Sequence, residues 1–352
     1  MEQIPSEIPN TDWLLKNNED EGSSVDELEP EKFKIAGFWR RILAVLIDIT
    51  ILALPFFIFG FAFRDLAFSL GPWGRLLGYT ALLLYWGFFN SRLGKGQTFG
   101  KKITRIAVVD KAGNYLPVRV AMLRALILVS IGLLNGWAVT FMTNPIISII
   151  VTTIVFGGGL ALIYGLVFNR RTRQGIHDLV VSSYVTKTPL LSGAIAPPTP
   201  RIHITISYGL VGLGLVLALT GDLLLRNPSV FSILEPDEWE EIQQLQTILL
   251  SSDEFFSVGV QRTNRQLVGN PGVIKDLNIQ VWVKQPCVRN QDDCLELSKR
   301  IAKIAFEEYD EIEQLSGMRV SVINAFDLGL ARGDLTFQNA WSIEDWNEQL
   351  EQ

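Results

Sequence analysis

Residues Ile42 to Phe63 read ILAVLIDITILALPFFIFGFAF, an apolar run that carries a single charge, Asp48. An α-helix needs about 20 apolar residues to cross a hydrocarbon core of roughly 30 Å. A carboxylate inside such a run costs about 2.5–3.5 kcal/mol on insertion, so it is seldom present without a partner or a function. The aromatic and basic residues just before it, Phe38 to Arg41, are typical of a helix that begins at a membrane surface. The run therefore predicts an integral membrane protein with a buried acid.

Further apolar runs follow and predict the rest of the architecture. Spans of membrane length are expected at about residues 42–63, 72–89, 118–141, 145–168 and 203–225. A linker over 188–202 would join the fourth span to the fifth. The predicted fold class is an α-helical polytopic membrane bundle of about five spans, followed by a small α+β extracytoplasmic domain.

The charges of the chain are segregated. Residues 1–37 hold ten acidic side chains against three lysines, and residues 226–352 hold 22 acidic against 11 basic side chains. The whole chain has a formal charge of −6, so residues 38–225 carry +12. The acidic tail over 1–34 lacks the basic start and apolar core of a signal peptide and has the composition of a disordered segment. Residues 226–352 thus have a formal charge of −11, which argues against nucleic-acid binding by the terminal domain.

The distribution of Lys and Arg predicts the orientation in the membrane. The 90–117 loop has six basic residues against one acidic, and the 169–202 loop has five against one. The alternate loops are nearly free of basic residues. Because cytoplasmic loops carry the excess of Lys and Arg, we expect a cytoplasmic N-terminus and, with five spans, an extracytoplasmic domain over 226–352.

Two cysteines, Cys287 and Cys294, are the only ones in the chain, and both lie in the terminal domain. Disulfides persist in oxidising compartments, so a Cys287–Cys294 bridge is expected if that domain is outside the cytoplasm. The alternative is a pair of unrelated thiols. Only two histidines exist, His177 and His203, neither near the cysteines, and we expect no metal site and no cofactor.

Charged residues at similar depth suggest an ion pair inside the bundle. Asp48 and Arg124 each lie about six residues into helices that begin on the cytoplasmic side, so they are expected to pair. The pair either fixes helix packing or forms a site for a proton or cation. His177 and Asp178 are expected at the cytoplasmic rim, where an Asp178–Arg41 contact would join the fourth span to the first. Because no nucleophile lies nearby, we do not expect an enzyme.

Three motifs in order resemble a known family. They are Ala36–Asp48 (AGFWRRILAVLID), Gly96–Lys102 (GQTFGKK) with Ile106–Gly113 and Arg124 after it, and Gln174–Asp178 (QGIHD). This order resembles the RDD membrane domain, named for an arginine and two aspartates, which here would be Arg41, Asp48 and Asp178. The resemblance covers about residues 33–187. It implies a bacterial inner or plasma membrane protein, of a family for which transport has been suggested.

Two other patterns bear on the membrane half. The stretch Gly94–Lys102 resembles a phosphate loop but has Lys102 where Ser or Thr is needed, and a basic loop at anionic lipid headgroups is the expectation. Small residues recur every four positions along the fourth span, which lets helix backbones approach closely. This ridge predicts internal packing rather than a dimer face, and it comprises Thr153, Gly157, Ala161 and Gly165.

The terminal domain reads as an alternation of helical and strand patterns. Helices are predicted over 236–250 and 295–315, with a short acidic helix at the end of the chain. Strands are predicted over 255–261, 277–283, 318–325 and 333–341. The order α-β-β-α-β-β-α is that of one sheet with helices on it. A binding or interaction domain is expected.

Two functions remain open from the sequence. The membrane half is expected to transport an ion or small solute, with Asp48 as the responsive group. The alternative is an assembly or scaffold protein whose membrane half presents residues 226–352 to a membrane-protein partner. The lipid bilayer is the partner common to both hypotheses.

Overall fold

The computed structural model describes residues 33–135, 144–189, 194, 196–225, 236–266, 273–285, 287 and 291–351. The predicted disordered tail over 1–34 lies almost wholly outside these residues. Residues 136–141 of the third predicted span, part of the 188–202 linker and the first ten residues of the terminal domain lie outside them too.

The first half of the chain is a helical bundle with a small antiparallel sheet at one end. Its helices are α1 (Phe38–Ala62), α2 (Arg64–Leu70), α3 (Arg75–Phe89), α4 (Phe99–Ile103), α5 (Val118–Leu134), α6 (Pro145–Val167), α7 (Ile176–Val180) and α8 (Arg201–Leu225). Strand β1 (Ile106–Val109) pairs with β2 (Tyr184–Lys187). Ile35 bridges to Thr186 just before α1 begins, so the sheet lies at the end of the bundle where α1 starts.

Three helices in the described residues are long and apolar enough to cross a membrane: α1, α6 and α8. The other two predicted spans are shorter, since α3 has 15 residues and α5 has 17. The second span is interrupted because Gly71–Gly74, which contains Pro72, forms a 3₁₀ turn ahead of α3. In the third predicted span, α5 is followed by Asn135, whose backbone is extended. The expected count of about five full-length spans is therefore not confirmed.

The small-residue ridge of the fourth span packs inside the chain. A Cβ atom on Gly157 would lie 2.9 Å from the carbonyl oxygen of Val211, and one on Gly214 would lie 2.5 Å from the Cα of Gly157. The backbones of α6 and α8 therefore touch at this point, where α6 widens into a π-helical turn over Thr153–Gly158. Ala161 is fully buried one turn further along.

The second half of the chain is a four-stranded sheet with helices on one face. Its elements are α9 (Pro236–Ser251), β3 (Phe255–Gln266), β4 (Val273–Val283), α10 (Gln291–Glu308), β5 (Gly317–Asp327), β6 (Arg332–Ser342) and α11 (Ile343–Glu351). The strand order is β3-β4-β5-β6, with β4 and β5 parallel and the outer pairs antiparallel. The helix α10 makes the crossover that a parallel pair requires. The predicted order of elements is confirmed.

One element is shorter than its sequence pattern predicts. The pattern extends the second long helix to residue 315, but α10 ends at Glu308. A 3₁₀ turn over Ile312–Gln314 follows and still buries Ile312 and Leu315 in the core. The helical spacing of apolar residues therefore continues past Glu308, where the α-helix itself ends.

The hairpin between β5 and β6 docks on the membrane half. Phe326 lies against Gly60, where a Cβ atom would come within 2.6 Å of its ring. The carboxylate of Asp327 lies 3.5 Å from the guanidinium of Arg75. Leu328 is fully buried in a cluster with Phe68 of α2. The terminal sheet thus contacts the end of the bundle where α1 finishes, opposite the end that carries the small β1–β2 sheet.

The two cysteines form the predicted bridge. Cys287 and Cys294 are disulfide-bonded, with their Cα atoms 5.1 Å apart. Cys294 lies in the first turn of α10, and both residues belong to the hydrophobic core of the terminal domain. The bridge therefore closes the connection from β4 into α10.

The bridge and the docking surface generate a test of orientation. We expect an impermeant maleimide to label Cys287 and Cys294 on intact spheroplasts only after reduction, because an oxidising compartment preserves the bridge. A matched sample of the Cys287→Ser, Cys294→Ser variant controls for background labelling. Free thiols that react only after the membrane is permeabilised would place the domain in the cytoplasm and contradict the expectation.

Candidate functional site

A cluster of charged side chains is buried at the end of the bundle where α1 begins. We call it the charged centre, and all its members are less than a tenth exposed to solvent. It comprises Arg41, Asp48, Lys101, Arg124, His177 and Asp178. All but Lys101 are predicted site residues.

Asp178 is the carboxylate of the charged centre that binds two arginines. Both Nε and Nη2 of Arg124 lie 2.8 Å from its Oδ1 atom, which also accepts a hydrogen bond from the hydroxyl of Ser183 at 2.8 Å. Nη1 of Arg41 lies 3.5 Å from its other oxygen. Two guanidinium groups, from α1 and α5, therefore share this carboxylate, and the expected Asp178–Arg41 contact is present.

Arg41 also donates hydrogen bonds to backbone carbonyls of three separate segments. Its guanidinium donates to the carbonyl oxygens of Ala36, Thr172, Arg173 and Val185. These carbonyls belong to the segment before α1, the loop after α6 and strand β2. Arginine carries five N–H donors in a rigid fork, so one side chain joins all three segments.

The predicted Asp48–Arg124 pair is not formed. Asp48 instead accepts hydrogen bonds from the hydroxyl of Tyr85 at 2.8 Å, the hydroxyl of Thr98 at 2.6 Å and the backbone N–H of Gly100 at 2.8 Å. Both residues nevertheless line one cavity. Depth along an axis does not specify the direction in which a side chain points, and Arg124 points to Asp178.

The motif Gly96–Lys102 forms the wall beside Asp48. Gly96 has φ +65°, a conformation that glycine adopts without steric cost. A Cβ atom on Gly100 would lie 2.0 Å from the carbonyl oxygen of Ala44 in α1. Only glycine therefore lets the N–H of this residue reach Asp48. Thr98 caps the start of α4: its side-chain oxygen accepts a hydrogen bond from the N–H of Lys101, while its hydroxyl donates to Asp48.

Lys101 is not at the lipid headgroups, where the sequence interpretation placed this basic loop. Its ammonium group is buried and donates a hydrogen bond to the side-chain oxygen of Asn90, itself buried. Lys102, the next residue, is exposed and lies over the ring of Phe99. The loop thus directs one lysine into the protein and the other out of it.

The burial of these groups changes their proton affinities. Burial lowers the pKa of Lys101 to about 7, and the charge of Arg124 contributes in the same direction. Burial likewise lowers the pKa of His177 to about 3, although Asp178 opposes the shift. Burial alone would raise the pKa of Asp178, but Arg124, His177 and Arg41 outweigh it and hold that pKa well below its usual range. At neutral pH the imidazole is neutral and the carboxylate is charged.

The charged centre surrounds a cavity of about 190 Å³. Arg41, Asp48, Lys101, Arg124 and His177 line it, together with apolar side chains of α1, α3, α5, α6 and the β1–β2 sheet. The cavity is large enough to hold several water molecules. It therefore combines an apolar wall with a few converging charges, as ligand sites usually do.

His177 is only partly bonded at this cavity. Its Nε2 atom lies 3.2 Å from Nη2 of Arg124, which can only donate, so Nε2 is the acceptor and Nδ1 carries the proton. The buried Nδ1 has no hydrogen-bond partner among the described residues. An unpaired buried donor is costly, so a polar occupant of the cavity would find it available.

The other predicted residues lie outside the charged centre. Gly165 packs against the backbone of Gln174, where its Cβ would come within 2.1 Å of the carbonyl oxygen, and so supports the loop that leads to Asp178. Gly157 and Ala161 belong to the α6 ridge. Among the described residues, no group of three or more His, Cys, Asp or Glu side chains could hold a metal ion.

Sequence reasoning missed the neutral partners of the charged centre. Tyr85, Asn90, Thr98 and Ser183 each bond a charged member directly. Thr98 and Lys101 lie inside a motif already singled out for its resemblance, which was the available signal. Tyr85 and Asn90 gave no such signal in the sequence, because polar residues are common near the ends of apolar runs.

We predict that Lys101→Met abolishes a pH dependence of stability. Between pH 7 and about 10 the unfolded chain binds a proton that folded Lys101 has lost, so the wild-type free energy of unfolding should rise with pH, by about 1.4 kcal/mol per unit at most. Below pH 7 both states are protonated and the dependence ends. Denaturation of the purified protein in detergent at several pH values measures it. The exposed Lys102→Met is the matched control, and equal slopes for wild type and Lys101→Met would contradict the prediction.

Comparison with known proteins agrees with the earlier resemblance. Residues 35–182 match the RDD family, and these residues contain all of the charged centre. The chain is 27% identical over 157 residues to the uncharacterized protein YckC of Bacillus subtilis (strain 168). The aligned residues cover 44% of this chain and 85% of YckC. No solved structure matches significantly. The part of the chain that folds around Arg41, Asp48 and Asp178 is therefore an RDD family domain.

Proposed function

We propose that the RDD domain moves an ion or small solute across the membrane and that the cavity of the charged centre is its binding site. The observation that carries the proposal is the cavity itself, about 190 Å³ with five ionisable side chains on its wall. Ionisable groups within a lipid-facing bundle are expensive, and they usually mark a pathway for ions or substrates.

The two aspartates have different roles in this proposal. Asp178 is held by two arginines, so its charge is compensated and its role is to join segments. Asp48 has only neutral hydrogen-bond donors and forms no ion pair with a described residue. Its charge is therefore the one available to an incoming cation or proton.

The balance of charge at the centre supports coupling to protons. Three cationic side chains, Arg41, Lys101 and Arg124, face two carboxylates, Asp48 and Asp178. The sum is +1 when Lys101 is protonated and zero when it is neutral, and its pKa of about 7 lets both states occur near neutral pH. Binding of a charged solute would shift this balance.

The lengths of the neighbouring helices support access from water. α3 and α5 have 15 and 17 residues, which correspond to about 22–26 Å at 1.5 Å per residue, less than a hydrocarbon core of roughly 30 Å. Both contribute side chains to the cavity. A bundle that is short at this place brings the aqueous phase closer to the charged centre.

We also propose that the protein lies in the bacterial inner or plasma membrane with a cytoplasmic N-terminus. The proposal rests on the basic loops over 90–117 and 169–202, which belong to one end of the bundle. The terminal domain docks at the other end through Phe326 and Asp327, so it would be extracytoplasmic.

Flux measurements in proteoliposomes test the transport proposal. We expect Asp48→Asn to lower the flux of Na⁺, H⁺ or a small solute by about tenfold or more, since a charge contact worth 1.4 kcal/mol corresponds to a factor of ten. The one oxygen of asparagine can still accept from Gly100 and Tyr85, and its NH2 group can donate to the hydroxyl of Thr98, so the local fold should survive.

The matched control is Asp222→Asn, which removes a carboxylate from α8 outside the cavity. It should leave the flux unchanged. Equal flux in wild type and Asp48→Asn would remove the role of Asp48. Absence of flux for every ion and solute tried, with folded protein, would contradict transport itself.

A second function, presentation of the terminal domain to a membrane-protein partner, is favoured by one observation. The β5–β6 hairpin is held on the RDD domain by the Asp327–Arg75 contact and by the burial of Phe326 and Leu328. The terminal domain is therefore oriented as well as tethered. A stoichiometric partner that co-purifies only when residues 226–352 are present would favour this function over transport.

A further inference from the structure

A basic groove lies at the surface of the RDD domain, where α1 begins and α6 ends. It encloses about 630 Å³ of open space. Among the described residues, four cationic side chains and no acidic one line it. These are Arg40, Arg170, Arg173 and Lys187. We call it the rim groove, and it is separate from the cavity of the charged centre.

Within the part of the chain that the structure describes, no ion pair compensates the exposed cations of the rim groove. Arg40, Arg170 and Lys187 are exposed and form no ion pair with a described residue. Arg173 is half-buried and donates to the carbonyl oxygen of Leu166 near the end of α6. The carboxylate nearest in sequence to Arg170 and Arg173, Asp178, is already shared by Arg41 and Arg124. An anion in the groove would therefore meet cations that no described carboxylate occupies.

The rim groove also has an apolar side. Trp39, in the first turn of α1, is 78% exposed and stacks edge-on against Phe38 at 5.2 Å between ring centroids. Val167, the last residue of α6, is also exposed. Exposed tryptophan at the start of an apolar span is characteristic of the level of lipid headgroups. The groove thus lies where the apolar surface of two spans meets a basic rim.

We propose that the rim groove binds the headgroup of an anionic phospholipid. The phosphate would lie among Arg40, Arg170 and Lys187, and the acyl chains would continue along Trp39 and Val167. Basic pockets between membrane helices on the cytoplasmic side recognise anionic headgroups in this way. A soluble anion would use the cations but not the exposed apolar side, which is why the lipid is the occupant that the groove fits.

The bound lipid would reinforce the charged centre from outside. Arg173 lines the rim groove with its side chain, while its backbone carbonyl accepts a hydrogen bond from Arg41. A phosphate that holds Arg40 and Arg170 would connect the first turn of α1 to the loop after α6. These are the segments that Arg41 joins on the inside.

Native mass spectrometry of the full-length protein in mild detergent tests the proposal. Phosphatidylglycerol should bind in preference to phosphatidylcholine. The double variant Arg40→Ala, Arg170→Ala should weaken phosphatidylglycerol binding about 30-fold, as expected for the loss of two charges near a membrane surface. The charge-preserving pair Arg40→Lys, Arg170→Lys should retain most of the binding.

The matched control removes the same charge from the same end of the bundle but outside the rim groove. It is Lys111→Ala, Arg119→Ala, two exposed residues that do not line the groove, and it should leave the affinity unchanged. If both double variants lost the same phosphatidylglycerol affinity, the binding would depend on diffuse surface charge rather than on the rim groove, and the proposal would be overturned. Equal binding of the two lipids, or full displacement of phosphatidylglycerol by millimolar inorganic phosphate, would overturn it as well.

Discussion

The carboxylate of Asp178 holds the RDD domain together at the end where its segments meet. Arg41 reaches it from α1, Arg124 from α5 and Ser183 from the turn before β2. A buried ion pair adds little over a well-packed apolar pair, but loss of one partner leaves an uncompensated charge that costs about 3–5 kcal/mol. The arginines and the aspartate therefore depend on one another. The position of α1 against the small β1–β2 sheet depends on all three.

This arrangement separates the two aspartates of the domain into two environments. Asp178 is surrounded by cations, whereas Asp48 is surrounded by a phenol, a hydroxyl and a backbone amide. The fixed ion network holds one wall of the cavity, and the Gly96–Lys102 loop forms another. Lys101 completes the set, because its buried ammonium group can lose its proton near neutral pH. The cavity combines a rigid frame with groups whose charge can change.

The sequence was most informative where a pattern repeats over many residues. The alternation in the terminal domain predicted its strands. The Asp178–Arg41 contact was predicted because both residues were expected at the cytoplasmic rim. Partner choice inside the bundle could not be predicted in the same way. Depth along a helix follows from counting residues, but its rotation does not, so Arg124 was assigned to Asp48 when it binds Asp178. The role of Gly100 was hidden because it depends on a contact with Ala44, 56 positions earlier in the chain.

The dependence of Arg124 on Asp178 can be measured by a double-mutant cycle on the unfolding of the full-length protein in mixed micelles. The variants are Asp178→Asn, Arg124→Met and the two combined. We expect each single change to lower the free energy of unfolding by about 3–5 kcal/mol. The combined change should cost far less than the sum, because the second removal relieves the charge that the first left unpaired. Strictly additive losses would contradict the central role of this ion network.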